Sequence, residues 1–198
     1  MTHPLQCKCG TLKGIVDTSQ MVVRSVCYCR DCRAFANYLA RSDDILDAQG
    51  GTAIVATQPK SVSFTHGVDV LVCMSLSPKG LLRWYSNCCN TPIGNTPRNA
   101  KMSYVGLIHS GLEAESPSLE ESFGPVALVV NSKSAKAPVR SPRIRNVIGL
   151  LTIMKSVISA RFNGGYKVNP FYKSDLSGPI KQPIVLTKAQ RMLASAST

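Results

Sequence analysis

Through the first two thirds of the chain the apolar residues come in short runs, broken by Gly, Pro, Ser, Asn or Asp. That spacing belongs to short strands joined by turns. Residues 5–16 read as a small hairpin turning at Gly10, which permits a tight turn after Cys9. Residues 21–26 are apolar and β-branched enough for a strand that runs on to Tyr28. Residues 30–40 have the pattern of a short helix with Phe35, Leu39 and Tyr38 inward. Ser42-Asp43-Asp44 follows as a turn or a new N-cap, and Gly50-Gly51 as a break. Strands are then expected over 52–56, 61–64, 68–76, 81–85, 102–108 and 126–130, with Gly67 and Ser77-Pro78-Lys79-Gly80 as turns. Phe64, Val70, Val72, Leu82 and Trp84 are the expected core.

Beyond residue 131 the pattern changes. Residues 132–142 form a Ser/Ala/Pro/Lys-rich linker. Residues 145–161 then read as a helix. Val147, Ile148, Leu150, Leu151, Met154, Val157 and Ile158 give it a wide apolar face at i, i+3, i+4 spacing, and Gly164-Gly165 ends it. Pro170-Phe171-Tyr172 and Gly178-Pro179 read as extended chain laid over the core. Residues 186–191 read as a short helix capped by Thr187. The expectation is a mostly β domain over 1–131 and a C-terminal extension over 132–198, with one or two helices packed on it.

Charge sharpens that division. The 198 residues carry a net +12 and are 44% hydrophobic, enough for a globular core. Residues 1–130 hold 11 Lys/Arg and 10 Asp/Glu, a net of +1, whereas residues 131–198 hold 12 Lys/Arg and the single acid Asp175, a net of +11. The basic helix at 145–161 has three readings: packing on the domain, a membrane-surface helix on anionic lipid, or a nucleic-acid contact. Packing is preferred, since the cations are scattered and few aromatics interleave with them. Met1-Thr2-His3-Pro4 does not have the form of a signal peptide, and no apolar stretch is long enough to cross a bilayer. A cytoplasmic, reducing setting is therefore expected, in which eight cysteines are metal ligands more readily than disulfides.

The cysteines carry the chemistry. In Cys27-Tyr28-Cys29-Arg30-Asp31-Cys32, residues two apart on a strand share a face, so Cys27 and Cys29 point together. Cys32 arrives across a turn or the first turn of a helix. Three thiols suit Zn²⁺ and leave its fourth position open, the pattern of a functional site. Cys7 and Cys9 also share a face, and the adjacent pair Cys88 and Cys89 follows a strand. At least one of that pair can join Cys7 and Cys9 in a closed structural site. Cys73, alone in an apolar strand, reads as a packed small hydrophobe. His3, His66 and His109 lack a second His at ligand spacing and read as packed or surface residues. Arg30, Arg33 and Lys8 are placed to offset thiolate charge, and Asp31 and Arg30 read as solvated.

Taken in order, Cys7-x-Cys9-Gly10, Cys27-x-Cys29-x-x-Cys32 and Tyr85-x-x-x-Cys89-x-Thr91-Pro92 resemble the glutathione-dependent formaldehyde-activating enzyme (Gfa-like) family, which includes centromere protein V-like proteins. The resemblance covers roughly residues 5–110 and is nearest to an uncharacterised bacterial branch. It implies an Mss4-like zinc-binding β fold with two zinc sites. Cys7 and Cys9 with the late pair Cys88 and Cys89 would hold the structural zinc, and Cys27, Cys29 and Cys32 the functional one. It also implies carbon–sulfur lyase chemistry on the thiol adduct of a small aldehyde, with a thiol such as glutathione as partner and no acid–base residue singled out. Ser86 stands where the family usually has a cysteine, and Asn90 where it has a glycine, so one or two Zn²⁺ are expected. The alternative is a non-catalytic zinc module that binds a partner, nucleic acid or anionic lipid among them, through its basic C-terminal segment. Redox chemistry at Cys29-Arg-Asp-Cys32 ranks behind both, because a third cysteine lies two residues upstream and no βαβ pattern surrounds it. The apolar strands allow a homodimer.

Overall fold

The computed structural model describes residues 1–20, 22–112 and 117–196. Met21, where the third strand was expected to begin, lies outside them. The fold is mostly β, with a helical C-terminal part, as the apolar pattern predicts.

A small sheet is built from β1 (Thr2–Gln6), β2 (Lys13–Asp17) and, later in the chain, the strand Val62–His66. β1 and β2 form the expected hairpin, with Leu5 opposite Gly14. Gly14 is needed there, because a Cβ would come within 2.5 Å of the Ser63 carbonyl oxygen on the next strand.

The chain continues through β3 (Val23–Cys27), α1 (Arg30–Tyr38), α2 (Ser42–Ile45) and β4 (Thr52–Thr57), and then β5 (Val62–His66), the third strand of the small sheet. β6 (Leu71–Ser75), β7 (Leu82–Ser86), β8 (Pro92–Thr96) and β9 (Val105–Ile108) follow, then α3 (Leu119–Phe123) and β10 (Leu128–Val130). After α4 (Arg143–Phe162) come β11 (Ile184–Val185) and α5 (Lys188–Ala196). The large sheet has the order β10-β3-β4-β9-β8-β7-β6-β11.

Its central strands β7, β8 and β9 are buried along their whole length, so both faces of the sheet are covered. Neighbouring residues on β7 show the two layers. Trp84 points to one face, where its ring lies 5.2 Å from that of Phe171. Tyr85 points to the other, edge-on to Phe35 of α1 at 6.4 Å. Phe171 is fully buried and also meets Phe64 at 5.5 Å, so the extended Pro170-Phe171-Tyr172 segment closes the core as expected.

Several expectations change, and the strands expected over 102–108 and 126–130 begin only at Val105 and Leu128. Residues 68–70 form a 3₁₀ turn after Gly67, which has φ +68°, and the strand begins only at Leu71. β8 was not expected, because Pro92 and Gly94 sit in it. α4 packs on the body, but by the opposite face from the one expected. Gly149, Ser156 and Ala160 are buried, while Val147, Ile148, Leu150, Leu151, Met154 and Ile158 are exposed.

Candidate metal centres

The first cluster forms where β3 hands over to α1. Cys27 is the last residue of β3, so the strand stops one residue short of Tyr28. Cys29 is the N-cap of α1: its backbone is extended (φ −72°, ψ 150°), and its Sγ accepts the Cys32 N–H at 3.3 Å. Cys32 sits in the first helical turn. The three Sγ atoms lie within 4.8 Å of one another. Cys27 and Cys32 are buried and Cys29 is partly buried, so the cluster is nearest to solvent on the Cys29 side.

β10 runs parallel to β3 with Val130 beside Cys27. The next residue, Asn131, takes a left-handed conformation (φ +57°) and turns its Nδ2 to donate to Cys27 Sγ at 3.5 Å. Hydrogen bonds from the Cys29 and then the Cys32 thiol outweigh burial and hold the Cys27 thiol down at about 2. Cys27 in turn pushes the thiols of Cys29 and Cys32 up. Three thiols this close cannot all ionise without a cation between them.

The second cluster joins distant parts of the chain. Cys7 and Cys9 lie in the loop between β1 and β2, while Cys88 and Cys89 lie in the turn between β7 and β8. Cys7 Sγ is 3.5 Å from Cys9 Sγ and 3.8 Å from Cys88 Sγ. Cys88 Sγ is 3.3 Å from Cys9 Sγ and 3.8 Å from Cys89 Sγ. Four sulfurs held tetrahedrally at about 2.3 Å from a zinc ion stand roughly 3.8 Å apart, so this set is of a size that can close on one ion.

Both departures from the Gfa-like pattern find a place here. Asn90 has φ +54°, the left-handed conformation a glycine would supply, and this turns the chain between the paired cysteines and Thr91. Cys88 lies with Cys7, Cys9 and Cys89, so four sulfurs are together without Ser86. The Ser86 Oγ lies 3.4 Å from Cys89 Sγ, and Thr91 Oγ1 lies 3.1 Å from the same sulfur. Burial pushes the Cys89 thiol up, but the Ser86 and Thr91 hydroxyls, with help from Cys9, bring it down to about 5. Leu12 N–H donates to Cys7 Sγ at 3.2 Å, and Thr11 Oγ1 lies 3.2 Å from Cys9 Sγ. Hydrogen-bond donors around sulfur stabilise the thiolate form that a metal requires.

The remaining candidates are placed elsewhere. Cys73 is buried in β6, and burial pushes its thiol up to about 12. His3 is packed, with Nε2 2.6 Å from the Leu112 carbonyl oxygen and Nδ1 2.8 Å from Ser122 Oγ. His66 is exposed, and His109 Nδ1 lies 3.3 Å from the Ala53 carbonyl oxygen. Lys8 pairs with Asp44 at 3.4 Å, and Asp31 with Arg191 of α5 at 3.5 Å. Arg33 is buried and donates to the carbonyls of Tyr28 and Ser134, both at 2.8 Å, which ties the chain around the triad together. Asn131, Thr11 and Thr91 were not expected to touch the cysteines. Asn131 is remote from Cys27 in sequence, whereas Thr11 and Thr91 each follow a cysteine by two residues, where a Thr in a turn carries no distinct signal of its own.

Fold and site together define a mostly β protein with two cysteine clusters that can hold metal ions. The chain belongs to a family of unknown function, DUF6151, whose model matches residues 1–173. No curated protein matches it. Among solved structures, a Rhodobacter sphaeroides protein determined by structural genomics is similar, at 16% identity and a TM-score of 0.41. That match covers 62% of this chain and 96% of the other. Among the described residues no helix is long and apolar enough to cross a membrane.

Proposed function

We propose that the protein holds two Zn²⁺ ions and acts on carbon–sulfur bonds of thiol–aldehyde adducts at the Cys27/Cys29/Cys32 site. The observation that carries this reading is the difference in ligand number. Cys7, Cys9, Cys88 and Cys89 supply four sulfurs, enough to fill a tetrahedral site, whereas the triad supplies three and leaves one position for a substrate. The order of cysteine motifs shared with Gfa-like proteins agrees with it. Zinc bound by the triad supplies a Lewis acid that lowers the pKa of a substrate thiol to near neutrality.

The chain's own part is to hold and screen. Cys27, Cys29 and Cys32 fix the three-sulfur face. Asn131 donates to Cys27 and holds its sulfur in place. In the forward direction a substrate thiolate sulfur adds to a carbonyl carbon. The C–S bond forms, the carbonyl π bond breaks, and the oxygen takes a proton from solvent. The lyase direction is the reverse.

The test compares the native chain with a Cys27/Cys29/Cys32→Ala variant. Elemental analysis is expected to show two zinc ions falling to one, with the fold kept by circular dichroism. Exchange between free and glutathione-bound ¹³C-formaldehyde, read by NMR, is expected to be faster than in buffer only with the native chain. Equal zinc content in the two proteins, or equal exchange rates, would overturn the reading.

A further inference from the structure

We propose that α4 is a docking helix for an anionic lipid surface. It has two opposite stripes. The inner one, Asn146, Gly149, Ile153, Ser156 and Ala160, consists mostly of small or polar residues and lies against the body. A Cβ on Gly149 would sit 3.2 Å from Leu128 Cβ, so the helix rests close on β10 and leaves no room there for large side chains. The outer stripe, Ile144, Val147, Leu151, Met154, Ile158 and Phe162, follows the same helical spacing on the far side. These six side chains are 49% to 87% exposed. A continuous apolar strip along a helix of about 30 Å is a binding surface, not scatter.

Charge selects the occupant. Arg143, Lys155 and Arg161 are exposed on α4 at the edges of the apolar strip, and the helix contains no acidic residue. A second copy docked strip to strip would bring like charges together with nothing to neutralise them, and each copy carries +11 over residues 131–198. An anionic bilayer surface satisfies both features, with apolar side chains at the acyl boundary and cations at the headgroups. A groove of about 280 Å³ beside the strip has the same dual character. Met102, Val157 and Phe162 line it together with Lys101 and Arg161. The helix lies in the surface, since it does not qualify as a membrane span.

The test is sedimentation of the full chain with vesicles of phosphatidylcholine containing phosphatidylglycerol, against vesicles of phosphatidylcholine alone. Binding to the anionic vesicles alone is expected, weakened by high salt, with each cation worth about fivefold in partitioning. Leu151→Asp and Ile158→Asp alter only exposed positions. Each is expected to abolish sedimentation while leaving the melting curve and zinc content unchanged. The proposal is overturned by absence of native-chain binding, by equal binding to neutral vesicles, or by binding that survives both substitutions. It is also overturned if the native chain forms a lipid-free dimer that the same substitutions dissolve.

Discussion

The two cysteine clusters are built in opposite ways. Cys27, Cys29 and Cys32 come from six consecutive residues, and a strand end followed by a helix N-cap brings them together. The second cluster pairs cysteines 79 and 81 positions apart, Cys9 and Cys7 with Cys88, and so clips the loop of the first hairpin to the turn between β7 and β8. A metal in the local cluster restrains little that α1 does not already restrain. A metal in the distant cluster closes a long loop, and its binding free energy becomes folding free energy. On the function proposed above, the three-sulfur site is the one the fold can spare and the four-sulfur site the one it depends on.

The strongest way to break this contrast is Cys7→Ser or Cys88→Ser. Apparent zinc-binding energies of structural sites are about 10–16 kcal/mol, comparable to the whole stability of a domain at about 5–15 kcal/mol. Either variant is expected to lose the cooperative melt and both zinc ions, read by circular dichroism and elemental analysis. A variant that melts like the native chain would make the second cluster dispensable. The next effect is smaller. Cys29→Ala removes a triad sulfur and the N-cap of α1, and the cap alone is worth about 1 kcal/mol. It is expected to lower the melting temperature by a few degrees, leave one zinc ion, and keep the native circular dichroism spectrum. Global unfolding would show that the triad, too, is structural.

What the sequence discloses follows the same division. The triad was legible because its geometry is local: strand alternation and one helical turn suffice to bring three sulfurs together. The second cluster was legible in membership, from the order of its motifs, but not in geometry. Whether Cys88 could join depended on the turn at Asn90, whose left-handed conformation a tolerant residue permits without announcing it. The contact to sulfur from Asn131 was not legible, since Asn131 lies 104 residues from the cysteine it touches. α3 was missed although Ser118-x-x-Glu121 is a capping box, formed in both directions here. The inward face of α4 was misread because large apolar residues were taken to face inward. Close packing against Leu128 demands small ones instead.

Substitutions at two positions, Ser86 and Asn131, each touch one cluster at a time. Ser86→Ala removes a hydroxyl 3.4 Å from Cys89 Sγ. Changing such supporting partners typically costs about 10- to 100-fold in metal affinity. A loss near tenfold is expected at the four-cysteine site, read by competition with a chromogenic chelator, with the triad unaffected. If Ser86 were itself a ligand, Ser86→Cys would tighten the site sharply. With Cys88 already completing the set, that substitution is expected to leave the zinc count unchanged.

The smallest effect is expected at Asn131. Its Nδ2 donates to Cys27 Sγ at 3.5 Å, and this is the weakest of the hydrogen bonds that hold the Cys27 thiol down. Asn131→Ala removes that donor from a buried sulfur. It also puts a less tolerant residue at φ +57°, so the turn after β10 loosens. Asn131→Gly separates the two effects, because glycine accepts the left-handed backbone but donates nothing. Both variants are expected to weaken zinc at the triad several-fold and leave the four-cysteine site as it was. If Asn131→Gly behaves as native while Asn131→Ala does not, the residue serves the turn and not the sulfur. The triad would then be shaped by its own six residues alone.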